Sequence, residues 1–357
     1  MRIVLSNASY SWGGVHRITE ALARGLQARG HEVVVFGRPD SPLQERLAGV
    51  APFEPILKGM DLHPRVLWRA GAALRRHRAQ VVLTLMKKDV RLTGPAAWAR
   101  GTPVVVRHAN DRPLGGNLSD RWLFGRLPAM HVANSRSTRG TLLRSAAWLR
   151  PEAVAVIHNG VDPEPFATAT PAPLGLPAGA LAVGFIGRFD HRKGLLDLAR
   201  AWPQVAAAAP GAHLLLVGKG PAEAEARALL ASAPRVHWLG YRTDIPELLR
   251  AMDVLAVPSH WEGFGLVAAE ALAAGVPVVA ADASSLPEIV EHGVHGLLVP
   301  PHDPPALAAA LLRLAGDPAQ RARMGAAGRA RVHAEFSVER MIDQYEELLA
   351  RVVAARR

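Results

Sequence analysis

Two short apolar runs, DVLAV at Asp253–Val257 and VPVVA at Val276–Ala280, constrain the fold of this chain most. Strands with one wet face alternate apolar and polar residues. Unbroken runs like these belong to a parallel sheet covered on both faces. Between them, the stretch Pro258–Asp282 (PSHWEGFGLVAAEALAAGVPVVAAD) supplies a loop and then a helix predicted from about Gly265 to Gly275, where a C-terminal glycine belongs. The loop opens at the C-terminal end of a parallel strand, where open α/β sheets bind ligands.

This stretch carries two carboxylates, Glu262 and Glu270. On one continuous helix they would stand ~12 Å apart, whereas carboxylate pairs that cleave glycosidic bonds lie about 5–9.5 Å apart. The spacing suits two tasks on one extended ligand better than joint attack on one bond. Backbone N–H groups of Phe264, Gly265 and Leu266, following Gly263, would point into the same space, ready for an anion. Taken alone, the pair is equally compatible with a surface capping glutamate and an unrelated helix glutamate.

The chain has 357 residues, 49% of them hydrophobic, which suggests two ordinary domains, each with its own core. No apolar run reaches the ~18 residues that span a bilayer. MRIVLSNASY enters a strand directly and lacks the parts of a signal peptide. Cysteine is absent, which excludes a disulfide framework and a thiolate metal site, so a cytoplasmic location is expected. The net charge of +11 is unevenly spread. Residues 1–165 hold 24 Lys/Arg against 12 Asp/Glu, and residues 166–357 hold 18 against 19. An anionic partner for the first half follows. No nucleic-acid reading module is recognised and aromatics are only 5%, so an anionic membrane face is the better candidate.

Along the chain, Ile3–Leu5 is a predicted strand, and a loop leads to Gly13-Gly14 and an amphipathic helix to about Arg29, with a second strand at His31–Phe36. The opening βαβ lacks G-x-G-x-x-G, which excludes a dinucleotide fingerprint and a dehydrogenase reading. Gly13-Gly14 at a helix start favours a close phosphate, although a plain tight turn explains such pairs too. A helix at His63–Arg78 puts Arg65, Arg69 and Arg76 on one face with Trp68 and Arg75 at its edge, a surface able to rest on anionic headgroups or simply be solvated. Strands follow at Val81–Leu85, Pro103–Arg107, Met130–Ala133 and Ala153–Ile157. His108 directly follows one of them, at the sheet's C-terminal edge. Asn159-Gly160-Val161-Asp162 is a turn signature.

The Pro-, Ala- and Thr-rich stretch Pro163–Gly179 reads as a linker. A second α/β set begins with Leu181–Ile186. Its next loop, Gly187–Gly194, holds Arg188 and Lys193 between glycines at a strand-to-helix junction, which is a diphosphate-binding arrangement. Strands at His213–Val217, Arg235–Leu239 and Leu297–Val299 complete the set. Tyr241 and Arg242 lie in a loop on the same edge as the glutamate loop.

Together, GFGLVAAEALAAGVPVVAAD with Glu262, GRFDHRKG, VIHNGVD and GGVHRITEALARGLQARGHEV resemble the family 4 retaining glycosyltransferases (glycosyl transferases group 1). The resemblance covers nearly the whole chain. It implies a GT-B fold, with two Rossmann-like α/β/α domains facing each other across a cleft: an acceptor-side domain at 1–165, a linker at 166–179, a donor-binding domain at 180–335, and a C-terminal helix at 336–357 crossing back. It also implies a nucleotide-diphosphate-sugar donor, with UDP or GDP favoured, and no cofactor. Glu270 would hold the ribose. Glu262 with the backbone of Phe264–Gly265 would hold the sugar, Arg188 and Lys193 the diphosphate, with Gly14 approaching it from the other domain, and His108 would sit near the reacting sugar. Gly13, Asn159, Tyr241, Arg242, Gly263 and Leu266 would also bind the donor. His158 departs from the family's usual proline before Asn-Gly-Val-Asp. The loop Ser9–Trp12 has no nameable acceptor pattern.

No Asp-x-Asp occurs in the chain, which fits a metal-independent reaction. The expectation is therefore a retaining hexosyltransferase acting on a saccharide or lipid-linked acceptor in envelope or exopolysaccharide synthesis, cytoplasmic and peripheral on the inner membrane face. The alternatives are transfer to a soluble small molecule and a non-catalytic sugar-nucleotide-binding protein.

Overall fold

Every described strand of this protein runs parallel to its neighbours, as the unbroken apolar runs require. The structure, a computed structural model, describes residues 1–10 and 13–355. Its first sheet contains β1 (Arg2–Asn7), β2 (Glu32–Gly37), β3 (Phe53–Glu54), β4 (Val81–Thr84), β5 (Val104–His108), β6 (Met130–Ala133) and β7 (Val154–Val156), in the order β3-β2-β1-β4-β5-β6-β7. In β1, Ile3 pairs with Val33 on one side and Val81 on the other. Ile3 and Leu5 face one apolar layer and Val4 the other, so the sheet is covered on both sides.

The second sheet contains β8 (Leu181–Ile186), β9 (Ala212–Val217), β10 (Val236–Gly240), β11 (Val254–Val257), β12 (Val278–Ala281) and β13 (Gly296–Val299), in the order β10-β9-β8-β11-β12-β13. Along β11, Val254 and Ala256 enter one core and Leu255 and Val257 the other. The chain reverses direction across the sheet beside β8, which places the loops after β8 and β11 side by side at a switch point.

The contacts divide the chain into two units: Met1–Gly160 together with the chain from Val338, and Val161–Ser337. The last helix, Val338–Ala354, buries Met341, Ile342, Tyr345, Leu348 and Leu349 among Ile3, Leu5, Ile18, Leu22 and Leu26 of the first unit. On the adjoining surface Arg29 bonds Glu346 at 2.7 Å and Asp343 at 2.5 Å.

The stretch Pro163–Gly179, read from its composition as a linker, forms a short helix at Glu164–Thr168, buries Phe166 in the second unit's core, packs Leu174 and Leu176 against it, and joins Ala172 N–H to the Glu247 carbonyl. Its apolar side chains outweigh its Pro-rich composition. The two-residue strand β3 was not anticipated, being too short to show a period. Pro277 delays β12 to Val278. Of the loop Ser9–Trp12, Ser11 and Trp12 lie outside the described residues, as do Arg356 and Arg357.

Candidate active site

In the second unit the loop after β8 bends through a 3-10 turn at His191–Lys193 and enters the helix Leu195–Ala208 at Gly194. Gly194 has φ +69°, and a Cβ there would stand 1.9 Å from the Pro258 carbonyl oxygen, so only glycine lets the two loops touch. The loops are stapled further. His260 N–H donates to the Arg192 carbonyl at 2.8 Å, and the Arg192 guanidinium lies over the Trp261 ring and donates to Asp190 at 2.8 Å.

That contact brings Lys193 to Glu262. The Lys193 Nζ donates to Glu262 Oε1 at 2.5 Å, and the Ser259 hydroxyl donates to the same oxygen at 3.0 Å. The Ser284 hydroxyl holds the Glu262 carbonyl at 2.6 Å. Glu262 is buried and Lys193 partly so. The resemblance assigns Lys193 to the diphosphate and Glu262 to the adjoining sugar; the fold makes the two side chains partners. Arg188, on the same loop, is exposed, and among the described residues its guanidinium has no ion-pair partner.

The helix after the glutamate loop runs Leu266–Ala274 between Gly265 (φ 92°) and Gly275 (φ 79°), both left-handed. Glu262 therefore precedes the helix and is not on it, so a separation reckoned along a continuous helix does not apply. Glu270 is buried one turn inside. Phe264 turns its ring into the core against Phe336, at 5.6 Å between centroids. A Cβ on Gly265 would press on Leu286. Gly263 is buried, Leu266 half-buried, and Tyr241 exposed. Arg242 forks onto the Asp244 carboxylate two residues on, which raises the guanidinium's pKa and lowers the carboxyl's.

In the first unit His108 ends β5 and is buried. Its Nε2 meets His131 Nδ1 at 2.9 Å, the rings stacked 5.2 Å apart. Burial holds His108 well below the ordinary histidine range, with the neighbouring His131, Lys87 and Arg107 charges adding to it. Burial takes His131 down to about 4, against an opposing hydrogen bond to the Phe124 backbone. Both rings are neutral near pH 7, one donating and one accepting. Asn159 is buried and accepts from the interior Arg107 at 2.7 Å. Gly14 opens the helix Gly14–Ala28; Gly13 before it is extended, at φ 177°, a conformation open to any residue.

Asp89 lies in the first turn of the helix Lys87–Ala99. Its buried carboxylate accepts from the N–H groups of Ala8 (2.7 Å), Met86 (2.9 Å) and Leu85 (3.2 Å), tying the loop after β1 to that after β4. Burial nevertheless pushes it up to about 8.

Residues 12–165 match the Glycosyltransferase Family 4 domain, and residues 180–317 match Glycosyl transferases group 1. A lipopolysaccharide core biosynthesis glycosyltransferase, LpsD of Rhizobium meliloti, is 30% identical over 96% of this chain and 97% of its own. A D-inositol 3-phosphate glycosyltransferase of Saccharomonospora viridis is 38% identical over 95% of this chain and 90% of its own. Among solved structures, Anabaena HepE in complex with UDP-glucose superposes with a TM-score of 0.83 at 25% identity, over 98% of this chain and 99% of that one.

Proposed function

We propose a specific reaction for this chain, which belongs to glycosyltransferase family 4 and is a glycosyltransferase of GT-B fold. In it a hexose passes from a nucleotide-diphosphate sugar to a saccharide or lipid-linked acceptor, with retention at the anomeric carbon and no metal ion in the step. The observation that carries this reading is the Lys193–Glu262 pair, with Arg188 exposed on the same loop as Lys193, at the C-terminal ends of the adjacent strands β8 and β11.

Breaking the anomeric C–O bond puts negative charge on the departing diphosphate and positive character on the sugar ring. Arg188 offers the diphosphate a two-pronged N–H fork and Lys193 a point charge. Glu262 Oε1 is taken by Lys193 and Ser259, which leaves Oε2 for a sugar hydroxyl. The backbone of Gly263–Leu266 is assigned to the sugar and Glu270 to the ribose hydroxyls. Tyr241 and Arg242 flank the donor. His108, neutral by burial, is a hydrogen-bonding group for the sugar and not an acid. Gly14 is assigned to the diphosphate, and Gly13 and Asn159 to donor binding more generally. No carboxylate is positioned as a nucleophile in this scheme, so attack is from the front face and the leaving phosphate takes the acceptor's proton.

HepE's complex with UDP-glucose makes UDP-sugars the first donors to test, then GDP-, ADP- and dTDP-sugars. Selective binding raises the melting temperature by mass action. Arg188→Ala and Lys193→Ala should each abolish that rise; persistence of the shift in both would refute the diphosphate assignment.

A membrane-associated acceptor is supported by the helix Pro64–Arg76. Val66, Ala70 and Leu74 are buried, while Arg65, Arg69 and Arg75 are exposed around Trp68, itself 73% exposed. Met60 and Leu62, which the sequence reading overlooked, are exposed just ahead of it. Arg76 is engaged by Glu54 at 2.5 Å and contributes less. No described helix is long and apolar enough to cross a membrane. Co-sedimentation with anionic vesicles at physiological salt tests this reading. Indifference to them, with turnover on soluble alcohols, would favour a small-molecule acceptor and a peripheral location would be dropped.

A further inference from the structure

Three potential metal ligands converge in the second unit on residues that the proposed reaction leaves unused. Asp197 lies in the first turn of the helix Leu195–Ala208, His260 in the loop after β11, and His302 in the turn after β13. His260 Nε2 is 2.6 Å from Asp197 Oδ2, His302 Nδ1 is 4.0 Å from the same oxygen, and one ligand atom from each residue lies within 4.8 Å of the others. The two imidazole rings are tilted 39° to each other with centroids 3.6 Å apart.

We infer that Asp197, His260 and His302 form a binding site for one divalent first-row transition-metal ion. A zinc-type ion sits about 2.0–2.2 Å from imidazole nitrogen and carboxylate oxygen, which puts tetrahedral ligand atoms ~3.3 Å apart. The two distances to Asp197 Oδ2 bracket that value, so small side-chain rotations close the site. Two imidazoles and one carboxylate select zinc, cobalt or nickel over magnesium and calcium, which demand oxygen. The other Asp197 oxygen faces Arg200 at 3.4 Å, so the carboxylate would bind the ion through one atom only.

The backbone around the site is fixed in advance. His302 follows Pro300-Pro301 and holds φ +60°, an uncommon conformation for a residue other than glycine. Asp303 next to it caps the helix Pro304–Gly316 by accepting from Ala306 N–H at 2.9 Å. Asp197 is buried, His260 is half-buried, and His302 is 66% exposed, which leaves a side open for entry of the ion and for a water as fourth ligand. Bound there, the ion ties together the start of one helix, the turn ahead of another and the loop that carries Glu262. It would stiffen that loop without touching the donor, so the inference stands apart from the donor reading.

The test is titration of metal-stripped full-length protein, free of any histidine tag, with zinc chloride, and separately with cobalt chloride followed by visible absorption. The expected result is one ion per chain, a rise in melting temperature, and a cobalt d–d band. His302→Asn suits the left-handed backbone and leaves the exposed turn intact. It should weaken zinc binding at least ~10-fold and remove the cobalt band, and Asp197→Asn should do the same. His213→Ala breaks the separate His213–His237 pair and should change nothing. Unaltered binding in His302→Asn, no binding in the wild type, or full displacement of zinc by equimolar magnesium would each overturn the inference.

Discussion

The Lys193 ammonium lies 2.5 Å from Glu262 Oε1, and the two residues come from loops separated in the chain by three helices and the strands β9, β10 and β11. A pair this close, with the carboxylate largely buried, behaves as a unit. Lys193→Ala and Glu262→Ala should therefore be non-additive, with a coupling of about 1–3 kcal/mol in a double-mutant cycle read by urea unfolding. Each single change should also lower transfer by about two to three orders of magnitude if the pair serves the departing charge. Additive stabilities would mean that the contact is incidental.

His108 is kept neutral by burial and by the positive charges around it. The kcat profile between pH 5.5 and 8 should then contain no limb that disappears in His108→Gln. That variant should lose turnover while keeping the melting shift produced by donor. A limb near pH 6.5 present only in the wild type would show that His108 works as an acid or base.

Two buried titrations of opposite sign share the first unit. His131 falls from 6.5 to about 4, so its contribution is present above the unfolded value and is lost as pH falls from about 6.5 towards 4. Asp89 rises from 3.8 to about 8, so its contribution is full below about 4 and lost as pH climbs through 8. Acidification from pH 7 to 5 should cost the wild type about 2 kcal/mol more than His131→Asn. Asp89→Asn should flatten the opposite slope. Guanidinium midpoints of the three proteins at both pH values provide the comparison.

Gly194 and Gly293 both have left-handed backbone, but only Gly194 faces the Pro258 carbonyl oxygen. Gly293→Ala should cost about 1 kcal/mol from conformation alone. Gly194→Ala adds a clash between two loops and should cost about 3 kcal/mol or more, with loss of donor binding. Equal costs would show that the loops can separate freely.

Much of this architecture was legible because parallel strands buried on both faces announce themselves as apolar runs, and because Gly265 and Gly275 bracket a helix in the way left-handed caps require. Lys193 and Glu262 were each singled out for chemistry. Their pairing was invisible, since it depends on Gly194 admitting Pro258, a contact between distant segments. Asp197, His260 and His302 carry no motif spacing at all; only the sheet order brings the ends of β8, β11 and β13 near one another. Phe166, Leu174 and Leu176 were hidden by the prolines and alanines around them, and packing decided what composition could not.

Truncation after Ser337 should separate the two units by stability. The first would lose Ile342, Tyr345, Leu348 and Leu349 from its core, a loss larger than its whole stability at about 2–5 kcal/mol for each large side chain. Hydrogen exchange should show β1, β2 and β4 unprotected and β8, β9 and β11 still protected. Protection throughout would mean that the last helix is dispensable.

The same arrangement sets an order of events during synthesis. The second unit is one uninterrupted piece of chain, whereas the first is interrupted after Gly160 and resumes only at Val338. At the ribosome's pace of about 5–20 residues per second, the N-terminal sheet waits roughly ten to forty seconds for the helix that completes it. During that interval the surface around Ile18, Leu22 and Leu26 is without its cover. The half made first is finished last, and its exposure in the meantime is where misassembly or a chaperone would act.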